Sequence, residues 1–268
     1  MDYVLLVLTG IVAGVLGGLL GVGGSVIMLP AMVWILGAVK SVDGQQVHQI
    51  HQYQAAAMIV NFLLILPAVV AHRRNHAIWA KLWAYMAAAA AVGILVGVWV
   101  SYRIDPGRLQ WAVGAFFLYV AAHNVYRMVR PPAAEGLPRE RVEDGPALAK
   151  AAVGGTMGVV AGILGIGGGS LAVPAQQIAL RVPLRNAIAT SAAVIATVSW
   201  IGAIAKNAQL GDNGSVPHSL LLAACLAPTA MIGAYVGGHL THKLPLRIVR
   251  GAFIAMVLAA AAKMFGWF

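Results

Sequence analysis

Two short stretches of this 268-residue chain place backbone groups where they could bind a ligand: Gly21-Val22-Gly23-Gly24-Ser25 and Gly165-Ile166-Gly167-Gly168-Gly169-Ser170. Clustered glycines interrupt a helix. The half-helix that restarts after them presents unpaired N–H groups carrying partial positive charge, which can hold an anion without any basic side chain. Ser25 and Ser170 open those second half-helices, where a hydroxyl can cap the helix or donate to a ligand. The two stretches are copies. Gly14, Gly18, Gly21, Gly23, Gly24 and Pro30 recur 144 positions later as Gly158, Gly162, Gly165, Gly167, Gly168 and Pro174. One such cluster would read as close helix packing or a tight turn. A glycine- and proline-interrupted segment in corresponding places of two halves points instead to a carrier's binding site. A phosphate-cradling loop is excluded, because no Lys followed by Ser or Thr closes either motif.

The helix starts that follow each motif supply the side chains. Val47–Gln54 corresponds to Leu184–Ser191, so Gln52 and Tyr53 would face the same site as Thr190 and Ser191. These groups donate hydrogen bonds without fixed charge, as an anion needs. His48 and His51 lie on the same stretch, either as part of the site or as an interfacial polar cap; a metal centre there would lack acidic or cysteine co-ligands. No metal and no cofactor are expected. All eight acidic residues fall at ends, in loops or in the central polar stretch. Cation carriers and proton pumps keep carboxylates inside the membrane, so the expected ligand is a small anion or a neutral molecule. If protons are coupled, His48, His51 or His123 carry them by elimination. Asn61 is embedded in an apolar run and, alone, reads as a helix–helix hydrogen bond.

The elements that must position these groups are membrane helices. The chain is 60% hydrophobic and 10% charged, with a mean hydropathy of +0.83, against about 25% charged in soluble domains. Runs such as Tyr3–Leu20, Ala55–Ala71 and Tyr85–Val100 hold no Lys, Arg, Asp or Glu. Alternation of period two is absent, which argues for helices over a barrel. The net charge of +10 sits at segment ends, where it orients a membrane protein; lipid is the expected surrounding, and nucleic acid is not a partner. The single cysteine, Cys225, lies in an apolar run and excludes a disulfide within the chain. Tyr3–Leu20 reads as a retained helix, since no basic n-region or small-residue cleavage site accompanies it.

The expected fold is an all-α polytopic membrane protein of about ten helical segments, five per half, forming an inverted repeat with short broken or re-entrant helices at the glycine motifs. Residues 1–129 form the first membrane repeat, 130–146 a hydrophilic linker and 147–268 the second repeat. A helix is expected from Val47 to Ala71 after a polar stretch, Lys40–Gln46. If each glycine region folds back, thirteen of the 18 Lys and Arg residues fall on one side, including Arg73, Arg74 and Arg185, and five on the other, Lys206 among them. If each region only kinks one span, eight segments result and the split is nearly even. Cytoplasmic loops are enriched in Lys and Arg, which favours ten segments with both termini outside.

At these motifs the chain resembles the TauE/SafE family of sulfite and organosulfonate exporters, also called the toluenesulfonate-uptake permease family. Gly165 through Pro174 is similar to that family's glycine motif, as is Gly21 through Pro30 with Ser25 in place of a glycine. Ala189-Thr190-Ser191 matches a small-Thr-Ser element, and Ala71-His72-Arg73-Arg74-Asn75 is similar to a basic loop of the family. The resemblance implies a carrier rather than an enzyme, taking sulfite, organosulfonates or related organic anions across the bacterial cytoplasmic (inner) membrane, with export expected; rocking of one repeat against the other is expected by analogy with inverted-repeat carriers. Where the first half of that family carries a small-Thr-Ser element, this chain has His51-Gln52-Tyr53, so its own specificity is expected there. The competing readings are an intramembrane histidine- or metal-dependent enzyme, and an anion channel or partner subunit.

Overall fold

The computed structural model describes residues 2–20, 23–37, 39–42, 45–129, 136–240 and 246–267. The first half contains α1 (Asp2–Leu20), α2 (Ser25–Leu36), a hairpin of β1 (Val39–Val42) and β2 (Gln45–His48), α3 (Ile50–Arg74), α4 (Ala80–Ser101) and α5 (Pro106–Val129). The second contains α7 (Ala147–Leu164), α8 (Gly169–Ala179), α9 (Leu184–Ala208), α10 (Val216–Leu240) and α11 (Leu246–Met264). These are the ten expected segments. One local expectation is corrected. Residues 39–42 pair antiparallel with residues 45–48, Val39 opposite His48, so α3 starts at Ile50 rather than Val47. The linker carries a short helix, α6 (Arg139–Glu143), with an Arg139–Glu143 pair of 2.9 Å one turn apart.

Five helices, α3, α4, α7, α9 and the Val216–Gly237 part of α10, are long and apolar enough to cross a membrane. Large apolar side chains face outward along the chain, among them Val92, Trp99, Trp111, Ile232 and Tyr235. A soluble protein would hide such a surface; here it meets lipid.

Glycines set the helix crossings. A Cβ on Gly154, Gly158 or Gly162 of α7 would run into the backbone of Met86, Ala90 or Ile94 of α4, and Gly93 and Gly97 approach α7 in return. The same device joins α1 to α10: Gly14 sits on Ala230, Gly233 on Ile11 and Gly237 on Val15. Absent side chains let the backbones touch, which is how helices gain packing energy in a bilayer. In both crossings position rises with position, so each pair is parallel. By contrast α3 and α9 are antiparallel, with Gln54 beside Lys206 and Gly202 against Met58.

Hydrogen bonds at the helix ends complete the directions. The Trp79 N–H before α4 donates to Thr190 near the start of α9, at 3.4 Å, and the Ser215 N–H before α10 donates to Gln52 near the start of α3, at 2.8 Å. Hence α1, α3 and α10 run one way, and α4, α7 and α9 the other. The first helix of one half therefore opposes the first helix of the other. Because α1 and α3 run together, the chain between them must return, and α2 folds back along α1: Gly17 lies against Gly23 and Gly24, and Tyr53 near the start of α3 donates to the Gly37 carbonyl at the end of α2, at 2.8 Å. The glycine regions fold back rather than kink.

Candidate functional site

The two glycine breaks meet inside the molecule. In the first, Gly23 adopts φ +89° and Gly24 stands at the N-terminus of α2 with no side-chain cap. In the second, Gly165, Gly167 and Gly168 have φ of +71°, +67° and +71°, and Gly168 stands at the N-terminus of α8, again without a side-chain cap. Only glycine takes this left-handed backbone without a penalty of roughly 1–2 kcal/mol. At both ends the helix turn closes on the glycine carbonyl: Met28 N–H reaches Gly24 O and Ala172 N–H reaches Gly168 O, each at 3.0 Å. The Ile27 and Leu171 N–H groups reach the same carbonyls at 3.0 and 3.2 Å, and the N–H groups ahead of them in the first turn have no intrahelical acceptor. Gly23, Gly24, Ser25, Gly167, Gly168, Gly169 and Ser170 are all buried; Gly21 lies outside the described residues.

Pro30 and Pro174 sit inside α2 and α8, both buried. Lacking an N–H, each leaves the carbonyl four residues earlier without its helical partner; these are Val26 and Ser170, both in the first turn. Ser25 Oγ donates to the Ile166 carbonyl across the two halves at 2.8 Å. Ser170 Oγ is buried without a protein partner.

The side chain between the breaks is Asn61. It is 1% exposed, its Nδ2 lies where a Cβ on Gly167 would go, and its Oδ1 would lie 3.0 Å from a Cβ on Gly23. Its Oδ1 has no hydrogen-bond partner in the protein. Asn61 stands about 16 Å along α3 from its start at 1.5 Å per residue, near the middle of the helix. Read alone it was an ordinary interhelical amide; the fold-back of both glycine regions makes it the common neighbour of the two breaks.

The other expected side chains are engaged by the protein. Gln52 Nε2 donates to Gln49 Oε1 at 3.0 Å while its Oε1 accepts from Ser215 N–H, and Tyr53 bonds Gly37. Thr190 Oγ1 accepts from Trp79 N–H. Ser191 Oγ accepts from Gln176 Nε2, which also reaches the Ala172 and Ala187 carbonyls at 3.3 Å. These groups tie the start of each long helix to the re-entrant pair or to the next helix; none of these hydrogen bonds reaches a glycine break. His48 ends β2, and His51 is 1% exposed, stacked on Tyr102 at 4.3 Å with its Nδ1 unpartnered. Among the described residues, no three His, Cys, Asp or Glu side chains gather as metal ligands.

One residue expected at a helix end on the side that carries fewer basic residues lies in the interior. Lys206 on α9 is 0% exposed; its Nζ donates to Gln54 Oε1 on α3 and to Ser101 Oγ on α4, the latter at 2.7 Å. Gln54 in turn donates from Nε2 to the Ile163 carbonyl at 3.2 Å, and its Cβ and Cγ fill the space beside Gly165. A lone lysine near a helix end reads as an interfacial anchor, and nothing in the local sequence marks it as buried.

Comparison with known proteins agrees with this architecture. The family described as sulfite exporter TauE/SafE matches residues 6–264. The probable membrane transporter protein YunE of Bacillus subtilis is 24% identical over 260 residues, covering 93% of this chain and 92% of that protein. YjnA of the same organism, also named a probable membrane transporter protein, is 26% identical over 97% of this chain and 98% of its own length. The probable membrane transporter protein MamO of Paramagnetospirillum magneticum is 26% identical over 98% of this chain, which spans only 44% of MamO. No solved structure matches the chain. With nearly its whole length matched and its spans and paired glycine breaks in place, this multi-pass membrane protein belongs to the sulfite exporter TauE/SafE family of membrane transporters.

Proposed function

We propose that this protein is a secondary carrier that exports small sulfur-containing oxyanions, sulfite or organosulfonates, across a bacterial inner membrane by alternating access. The observation that supports it most is the convergence of two uncapped helix N-termini on Asn61 in a buried region. Two positive helix ends without a neighbouring carboxylate favour an anion and penalise a cation. Gly23, Gly24 and Ser25 from one break and Gly167, Gly168, Gly169 and Ser170 from the other supply backbone and hydroxyl donors, with the Asn61 amide between them. Gln52, Tyr53, Thr190 and Ser191 hold the surrounding helices in register. Left-handed glycines on either side of Ile166 give the second break the freedom to change shape as access alternates.

The test is uptake of radiolabelled sulfite and of methanesulfonate into proteoliposomes holding the purified chain. Saturable flux that each anion inhibits in the other is expected. Flux that rises linearly with concentration would instead indicate a channel, and no flux from folded protein would defeat the substrate class.

A further inference from the structure

Lys206 places an ionisable amine in the interior of a membrane protein, and no carboxylate among the described residues pairs with it. Removing an ammonium from water costs several kcal/mol, which hydrogen bonds to neutral oxygens offset only partly. Intramembrane ionisable groups that persist at this cost mark functional sites. The surroundings of Lys206 are built around it. Gln54 and Ser101 accept from Nζ, Ser101 is fixed by donating to the Val98 carbonyl at 2.6 Å, and Tyr102 donates to the Lys206 carbonyl at 2.8 Å. The Tyr102 ring centroid lies 5.1 Å from Nζ, and His51 stacks on that ring at 4.3 Å. Three helices from both halves, α3, α4 and α9, together with Tyr102 just past the end of α4, thus enclose one amine.

We propose that Lys206 recognises the negative charge of the transported anion, and that an anion oxygen takes the position on Nζ that Gln54 Oε1 now holds. A neutral amide oxygen and a hydroxyl oxygen occupy the places that two oxygens of a small pyramidal or tetrahedral oxyanion would fill, and an ionised acceptor adds to the hydrogen bond a Coulomb attraction that a neutral oxygen lacks. The exchange has a second effect. Gln54 is the side chain packed against Gly165, and it holds the Ile163 carbonyl at the end of α7. An anion that displaces Gln54 from Lys206 loosens its hold on the second glycine break, so charge recognition and the hinge act through one side chain. Protonated Lys206 would draw the anion to the protein interior, and the helix N-termini beside Asn61, roughly two helical turns along α3 from Gln54, would receive it.

This inference rests on the anion-carrier reading, and the experiment separates the two. Sulfite flux into proteoliposomes and the sulfite-dependent rise in melting temperature in detergent are measured for the wild-type chain, Lys206→Met, Lys206→Arg and Gln54→Ala. Lys206→Met should raise KM for sulfite by about tenfold or more with a smaller change in kcat, and should abolish the thermal shift. Lys206→Arg should keep KM within about threefold of wild type because it keeps the charge. Gln54→Ala removes the competing acceptor and should lower KM. It leaves the lysine in place, so it tests the exchange even if Lys206→Met fails to fold. An unchanged KM and thermal shift in folded Lys206→Met, or an unchanged KM in Gln54→Ala, overturns the role of Lys206 while the carrier reading stands. A wild-type chain that shows neither flux nor thermal shift with sulfite, sulfate or methanesulfonate overturns both.

Discussion

The two glycine breaks occupy equivalent places but are not equivalently built. The first has one described left-handed residue, Gly23, and its serine is committed: Ser25 is hydrogen-bonded to Ile166 of the other half. The second has three left-handed glycines, and its serine, Ser170, has no protein partner. The long helices beside them differ in the same sense. The start of α3 carries Gln49, His51, Gln52, Tyr53 and Gln54, all buried, whereas the start of α9 is closed with the small side chains Thr190 and Ser191. A duplicated element has been divided into a fastened arm and a free one. Symmetry supplies the scaffold of the site, and its departures allocate the work.

The largest expected effect tests whether the second break needs its backbone. Gly167→Ala would combine a left-handed alanine with overlap on Asn61, a cost of roughly 2 kcal/mol or more, and should abolish transport and lower the yield of monodisperse protein in gel filtration. Gly23→Ala, with only Asn61 Oδ1 at 3.0 Å in its way, should be milder; equal damage at both positions would erase the asymmetry. Next, Asn61→Asp should cut sulfite flux by more than Asn61→Ala, because a carboxylate between two positive helix ends neutralises what attracts an anion, and flux assays with matched protein amounts would show the order.

A smaller effect concerns the helix crossings that carry the breaks. Gly158→Ala, which would meet the Ala90 backbone, should lower the melting temperature. Gly251→Ala, with nothing within 4 Å, should raise stability by about 0.5–1 kcal/mol as alanine replaces glycine in a helix. The smallest effects lie on the serines. Ser25→Ala should cost about 1 kcal/mol of stability through its lost interhalf bond, measured by thermal unfolding in detergent. Ser170→Ala should leave stability within about 0.5 kcal/mol and show itself only in sulfite KM.

The repeat, the order of segments and their fold-back were legible because glycine clusters, prolines and loop charge are local signals with a direct physical meaning. The pairing of Val39–Val42 with Gln45–His48 does not follow from polarity alone, although Asp43-Gly44 between them is a hairpin signal in the sequence. Asn61 and Lys206 were seen but undervalued for a shared reason. A single polar residue on an apolar helix gains meaning from what other helices bring to it, here two glycine breaks for Asn61 and the Gln54–Ser101 pair for Lys206. Gln52 and Thr190 illustrate the converse: a polar helix start that looked directed at a ligand holds the N–H before α10 and the N–H before α4.

The parallel crossings of α1 with α10 and of α4 with α7 also bear on how the chain is made. Gly14 cannot rest on Ala230 until about 200 further residues have been synthesised, roughly 10–40 s at cellular elongation rates. Ala90 meets Gly158 after about 70 residues, within a few to fifteen seconds or so. During that interval α1 stands in the bilayer with its glycine face unmatched, so the second crossing assembles first and the opening helix of the chain is among the last to be locked.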